Sequence, residues 1–203
     1  MSDKINTVAR WLGSGSINIF GRPFAGKDTQ GNRLAEMFGG VLISGGDILR
    51  SYPDQEELKK YMSAGELIPS DLFMKIVLPY LSKDELTNKP LILSSVGRLV
   101  GEEPIIYDAC LNSNHPTKAV ILLELPEETV WSHFEKAKDL NDRGNRSDDN
   151  GEVLKNRLHE FQTKTMPVID YYQKKGLLIS LDGSLTRDEV TNEIIDALYN
   201  LAS

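Results

Sequence analysis

The chain of 203 residues contains a single cysteine, Cys110. A lone cysteine excludes an internal disulfide and any multi-cysteine zinc site, so no zinc is expected. Basic residues are not in excess: 23 Lys and Arg stand against 30 Asp and Glu, for a formal net charge of −7. That balance favours neither nucleic acid nor an anionic membrane surface, and a polyphosphate site would have to be a local cluster of cations in an acidic molecule. No apolar run is long enough to span a bilayer. The N-terminus has no signal-peptide core and carries Asp3, so a reducing cytoplasm is the default compartment. With 40% hydrophobic and 26% charged residues, the composition is ordinary for one α/β domain with a sizeable core.

What the sequence does have is concentrated in residues 17–30, Ile-Asn-Ile-Phe-Gly-Arg-Pro-Phe-Ala-Gly-Lys-Asp-Thr-Gln. An apolar run leads through a glycine-bounded turn and a lysine into a helix-forming segment. This is a phosphate-cradling loop of the G-x-x-x-x-G-K type. Gly21 and Gly26 let backbone N–H groups approach phosphate oxygens, and Lys27 adds a full positive charge to the helix N-terminus. The strict pattern has Ser or Thr after the lysine. Here that position is Asp28, and Thr29 follows it.

Ile5, Val8, Trp11 and Leu12 fall at helical spacing and predict a short amphipathic helix over 4–12, docked on the domain surface. Further apolar runs predict strands at 17–20, 41–44, 90–95, 119–125 and 177–181. Between them lie helical segments at 26–38, 45–50, 53–62, from Ser70 onward with Leu72, Ile76, Val77 and Tyr80 as the buried stripe, at 103–111, and from Pro126. A long helix over 150–174 is expected to bend before Pro167. Thr186 and Glu189 form a capping box for the last helix. Continuous apolar strands separated by helices indicate a parallel sheet covered on both faces. Residues 139–151 are too polar for a core, and hold two arginines and two adjacent aspartates.

A phosphate loop alone indicates nucleotide binding. Arg50, Arg98, Arg143, Arg146 and Arg157 raise the specificity, because each follows a strand or adjoins the polar loop. Phosphoryl transfer needs in-line positioning, exclusion of water and cations around a group whose charge is spreading. Arginines on two movable flaps behind a phosphate loop meet those needs and favour a kinase.

These residues resemble the adenylate kinase family of nucleoside monophosphate kinases in its short-lid form. The resemblance runs from about 17 to 201. Gly21 to Gln30 looks like the family's G-x-P-G-x-G-K-G-T-Q loop, and Ser44 to Arg50 like S-T-G-D-x-L-R. Gly65 to Asp71 is similar to G-x-L-V-P-x-E, while Leu93 to Arg98 sits where the family has L-D-G-F-P-R. Arg143-Gly, Arg146 to Asn150, Lys155 to Leu158, Met166 to Tyr172 and Asp182 to Ser184 complete the series.

The resemblance implies a P-loop NTPase three-layer sandwich: a five-stranded parallel sheet with helices on both faces. Residues 1–15 would be an N-terminal extension and 16–203 the kinase domain, with an NMP-binding flap at about 45–74 and a lid at about 139–149. Gly21, Phe24, Ala25, Gly26, Lys27, Asp28 and Thr29 would hold donor ATP, with His133, Gly183 and Leu185 at its base. The monophosphate would meet Gly45, Arg50, Glu66, Leu67, Ile68, Ser95, Val96, Gly97, Arg98, Glu102, Arg146 and Arg157. Lys27, Arg98, Arg143, Arg146 and Arg157 would act on the transferring group. The expected partners are ATP and a nucleoside monophosphate, AMP first, acting on a monomer by default. Mg²⁺ would be held by phosphates and water, with no direct protein ligand.

Departures from the family pattern bear on activity, among them Gly45 where the family has threonine and His133 in the place of the donor-side arginine that stacks on adenine. The aspartate after the third strand, which orients magnesium's waters in the family, is Ser94. The glycine after the loop lysine is Asp28. A carboxylate beside a triphosphate is unfavourable, since at an effective dielectric of about 20 two charges about 4 Å apart interact by roughly 4 kcal/mol. The expectation is that the anion has changed places, Asp28 supplying what Ser94 cannot; the alternative is that Asp28 points away and caps the helix. In the acceptor pocket the Phe-Pro pair is Val96-Gly97, and the base-reading glutamine is Glu102. A carboxylate accepts without donating, which suits guanine better than adenine. GMP or a pyrimidine monophosphate is therefore the alternative acceptor, and a nucleotide-binding sensor without turnover is the alternative of a different class.

Overall fold

The computed structural model describes residues 2–53, 56–140 and 150–203. Residues 141–149 of the expected lid, with Arg143 and Arg146, lie outside the described residues. At the centre is β1 (Ser16–Gly21), every residue of which is buried. It is flanked by β3 (Leu91–Ser94) and β4 (Thr117–Glu124), with β2 (Val41–Ser44) and β5 (Leu178–Asp182) outside them. All pairings are parallel, in the order β2-β3-β1-β4-β5. Ile17 aligns with Ile92 on one side and Ala119 on the other.

Because side chains alternate along a strand, β1 feeds two cores. Ile17 and Ile19 face α1 (Ser2–Leu12), α2 (Lys27–Phe38) and α10 (Arg187–Ala202), packing with Val8, Leu34, Ile194 and Ile195. Phe20 faces the other way and joins Val120, Leu122 and Tyr172. The predicted amphipathic helix is α1. It starts at Ser2, buries Val8 and Leu12, and is pinned to α10 by Lys4 Nζ donating to Asp196 at 2.7 Å.

The segment between β2 and β3 is helical: α3 (Gly45–Ser51), α4 (Glu56–Ala64) and α5 (Ser70–Leu81). Pro53 lies in a bend ahead of α4 rather than in the predicted helix. In α5 the buried residues are Phe73, Met74, Ile76, Val77 and Leu81, whereas Leu72 and Tyr80 are only half-buried. The face is rotated from the predicted stripe because α5 is wedged between α3 and α6 (Glu102–Asn112).

After β4 come α7 (Glu127–Leu140) and α8 (Gly151–Glu160), the latter capped by Asn150, whose side chain accepts from the Val153 amide at 3.0 Å. The predicted long helix is interrupted by a π-turn at Phe161–Thr165 before α9 (Met166–Lys174). The wide turn falls directly ahead of Pro167, whose ring cannot sit against the carbonyl four residues back. The capping box at Thr186 and Glu189 is formed. Among the described residues no helix is long and apolar enough to cross a membrane.

Candidate active site

β1 ends at Gly21, and the chain turns through residues 22–26 into α2. Gly26 is the N-cap, and no side chain caps the helix. The first-turn amides are thus left to an anion, where the helix dipole also favours negative charge. Lys27 Nζ donates to the Arg22 carbonyl at 2.8 Å, across its own loop. Phe24 stands where the family loop has glycine, and it keeps a glycine-like conformation with φ 63°. Its ring is held edge-on against Phe134, with centroids 5.6 Å apart. His133 Nδ1 lies 3.2 Å from the Phe24 carbonyl oxygen. A carbonyl only accepts, so that nitrogen carries the hydrogen.

The loop after β3 approaches the phosphate loop from one side. Ser94 is 3% exposed, and its hydroxyl donates to Asp28 Oδ1 at 2.6 Å. Asp28 therefore faces β3 rather than pointing away. Gly97 has φ 79°, a conformation closed to the proline of the family pattern, which is fixed near −65°. The path of this loop is set instead by Asn18, buried in β1. Its amide nitrogen donates to the Val96 carbonyl at 2.7 Å, and its oxygen accepts from the Val96 amide at 3.4 Å.

Glu102 opens α6 and is 2% exposed. Its Oε2 accepts from the amides of Arg98 at 2.7 Å and Leu99 at 3.0 Å. Its Oε1 is buried and has no hydrogen-bond partner among the described residues. Arg98 has its pKa lowered to about 10, foremost by burial and then by the neighbouring Arg157, with Glu160 and Glu102 opposing. It remains protonated at neutral pH. Two guanidinium groups crowded in this way are relieved by a doubly charged anion between them.

The third side of the cleft comes from the helices after β2. Ser44 caps α3 by accepting from the Asp47 amide at 3.3 Å, and Arg50 pairs with Asp47. The turn between α4 and α5 is fastened to α8. Asn156 Nδ2 donates to the Ala64 carbonyl at 3.0 Å, and the Leu67 amide donates to Glu160 Oε2 at 3.0 Å. Glu160 is 7% exposed. Burial alone would raise its pKa, but hydrogen bonds from Lys164 and the Leu67 amide carry it below the usual glutamate range. At Gly65, with φ 74°, a Cβ would lie 2.6 Å from the Val153 carbonyl oxygen, so only glycine lets α4 come this close to α8.

One cleft collects these parts. Gly21, Phe24, Lys27 and Asp28 line it from the phosphate loop, and Gly45, Arg50, Glu66, Leu67 and Ile68 from the helical insertion. Ser94, Ser95, Arg98 and Glu102 line it from the loop after β3, and Arg157 from α8. Of the other residues singled out from sequence, Ala25, Gly26, Thr29, Val96, Gly97, His133, Gly183 and Leu185 are not in its lining. Gly183 donates to the Glu124 carbonyl at 2.7 Å, and Leu185 packs against the core. Met62, Leu99 and Phe73 line the cleft without having been singled out. Their signal was weak, because each is an ordinary apolar residue beside a helix end. Among the described residues there is no group of three His, Cys, Asp or Glu side chains able to hold a metal. The Asp28 carboxylate in the cleft lining fits magnesium held by substrate phosphates, since that ion keeps several of its waters and a carboxylate accepts hydrogen bonds from them.

A phosphate loop opening a helix at the carboxyl edge of a parallel sheet is the mark of P-loop nucleotide-binding proteins, and this chain is one of them. Residues 19–177 match the family model described as adenylate kinase. The adenylate kinase of Leptospira biflexa serovar Patoc is 34% identical over 188 residues, covering 89% of this chain and 97% of that protein. That of Methanosarcina barkeri is 33% identical over 215 residues, covering 92% and 100%. That of Thermus thermophilus is 32% identical over 188 residues, covering 90% and 96%. The chain belongs to the adenylate kinase family, and is a nucleoside monophosphate kinase, a phosphotransferase.

Proposed function

We propose that the protein transfers the γ-phosphoryl group of ATP to AMP. The observation that carries this reading is the convergence of Lys27, Arg50, Arg98 and Arg157, from four separate stretches of chain, on one cleft. Lys27 and the amides at the start of α2 hold the donor phosphates. Arg50 and Arg98 grip the acceptor's phosphate, where planar guanidinium groups fit phosphate oxygens in pairs. Arg157 neutralises charge spreading over the transferring group, together with Arg143 and Arg146 of the proposed lid at 139–149. The flap at 45–74 excludes water over the acceptor, with Leu67 and Ile68 against its base. His133, Gly183 and Leu185 serve the donor base from outside this cleft. Asp28, on the cleft wall beside Lys27, would face magnesium entering with ATP, which would supply positive charge against the donor phosphates.

Glu102 bears on the acceptor. Guanine presents two donors on one edge and would use both oxygens of a carboxylate. One oxygen of Glu102 is already engaged by the amides of Arg98 and Leu99. The other suits a single donor, such as the amino group of adenine. This supports AMP over GMP, which remains the second reading because Glu102 has no hydrogen to offer the adenine ring nitrogen. A coupled assay with ATP and AMP, GMP, CMP, UMP or dTMP decides between them. ADP formation highest with AMP is the expected result. Highest turnover with GMP moves the assignment to the second reading, and binding without turnover overturns both.

A further inference from the structure

We propose that Asp28, its carboxylate aimed by Ser94, holds the water shell of the magnesium ion that enters with ATP. The inference rests on the ATP-dependent reading above and deepens it.

Three observations carry it. Asp28 lies in the first turn of α2, directly after the loop lysine, and lines the cleft where donor phosphates are gripped. Its carboxylate is fixed from the adjacent strand end by the Ser94 hydroxyl at 2.6 Å, and that serine is 3% exposed. Facing carboxylate and triphosphate are both anionic, so they share a small cleft only with a cation between them. Magnesium is the cation suited to that place. It takes phosphate oxygens on one side, retains waters on the other, and dehydrates reluctantly. A carboxylate accepts hydrogen bonds from such waters without displacing them.

The pairing also accounts for the composition of the strand end. A serine at position 94 cannot supply negative charge, but a buried hydroxyl can fix the rotamer of a carboxylate opposite it. The anion and its orienting partner are thus split between α2 and β3. An Asp28 carboxylate serving only to cap the helix would have no need of Ser94.

The test is ATP affinity measured by calorimetry with and without Mg²⁺, a readout separate from turnover. In the wild type, Mg²⁺ tightens ATP binding. In Asp28→Gly and in the isosteric Asp28→Asn, the tightening falls by about 10-fold or more, the usual effect of removing a group that orients metal-bound water. In the double variant Asp28→Gly, Ser94→Asp, the carboxylate returns from the other side and the tightening recovers. Circular dichroism and thermal midpoints establish that each variant is folded. Undiminished tightening in Asp28→Asn overturns the proposal, as does a loss that the double variant leaves unrepaired. Either result leaves the phosphotransfer reading standing, whereas wild-type protein that binds no ATP overturns both.

Discussion

The Glu160 carboxylate accepts the amide hydrogen of Leu67 at 3.0 Å, closing a loop of 93 residues between α8 and the helical insertion. The same side chain receives Lys164 Nζ at 2.8 Å and bears electrostatically on Arg98. The helical insertion, α8 and Arg98 therefore share one anion.

Glu160→Gln is expected to lower stability at neutral pH by about 1–3 kcal/mol, the range for leaving a buried partner poorly satisfied. The pH dependence has a definite sign. Glu160 has a lower pKa in the folded protein than its ordinary value. Its stabilisation is complete above about pH 4.3, the usual glutamate pKa, and is lost as pH falls through the lower folded value. Urea unfolding of wild type and variant at pH 7 and at pH 3 measures this. The gap between the two proteins should be widest at pH 7 and smaller at pH 3, because the direction of the shift makes the Glu160 contribution decline with acidification.

Gly65→Ala should loosen the packing of the helical insertion on α8. The added methyl meets the Val153 carbonyl oxygen at 2.6 Å, and the backbone at φ 74° is unfavourable for alanine by about 1–2 kcal/mol even without that clash. Because the strain falls between α4 and α8, a larger increase is expected in the KM for the nucleoside monophosphate than in that for ATP. A thermal midpoint and a pair of KM measurements check it. Equal changes in the two constants would place the effect elsewhere.

Much of this architecture was legible because its signals are local. Five apolar runs, the strand–glycine loop–helix order at 17–30 and the capping box at Thr186 are read from neighbours a few residues apart. Arg50, Arg98 and Arg157 stood out by position after a strand or beside a polar loop, and they share the cleft with Lys27. What sequence could not give were partnerships across long stretches of chain. Asn18 lies within the first predicted strand, and nothing adjacent to it shows that it grips Val96 across 78 residues. Nothing adjacent to Glu160 in the chain marks it as the partner of the Leu67 amide. The face of α5 followed its tertiary neighbours rather than its own periodicity. Phe24 had no visible reason to adopt a glycine's backbone conformation, since the ring that anchors it, Phe134, lies on α7.

Asn18→Leu tests the grip on the loop after β3. Leucine removes both partners of the Val96 backbone, at about 1–3 kcal/mol for each buried group left unpaired. The loop that carries Arg98 would then lose its anchor to β1. The expected outcome is a lower thermal midpoint together with weaker binding of the monophosphate, measured by calorimetry. Loss of stability with unchanged monophosphate affinity would show that Glu102, through the Arg98 and Leu99 amides, suffices to hold the arginine.

Phe24 offers a comparison in which backbone and side chain separate. Phe24→Ala and Phe24→Gly both delete the ring that packs on Phe134. They differ in the backbone, which sits at φ 63°. Alanine pays the left-handed penalty and glycine does not, while glycine gains more freedom in the unfolded chain. The penalty is the larger of the two, so the glycine variant should be the more stable by about 1 kcal/mol. Chemical denaturation of the two variants under one condition measures the difference directly. A more stable alanine variant would mean that the loop abandons this conformation once the ring is gone. The ring would then be what holds the phosphate loop in shape.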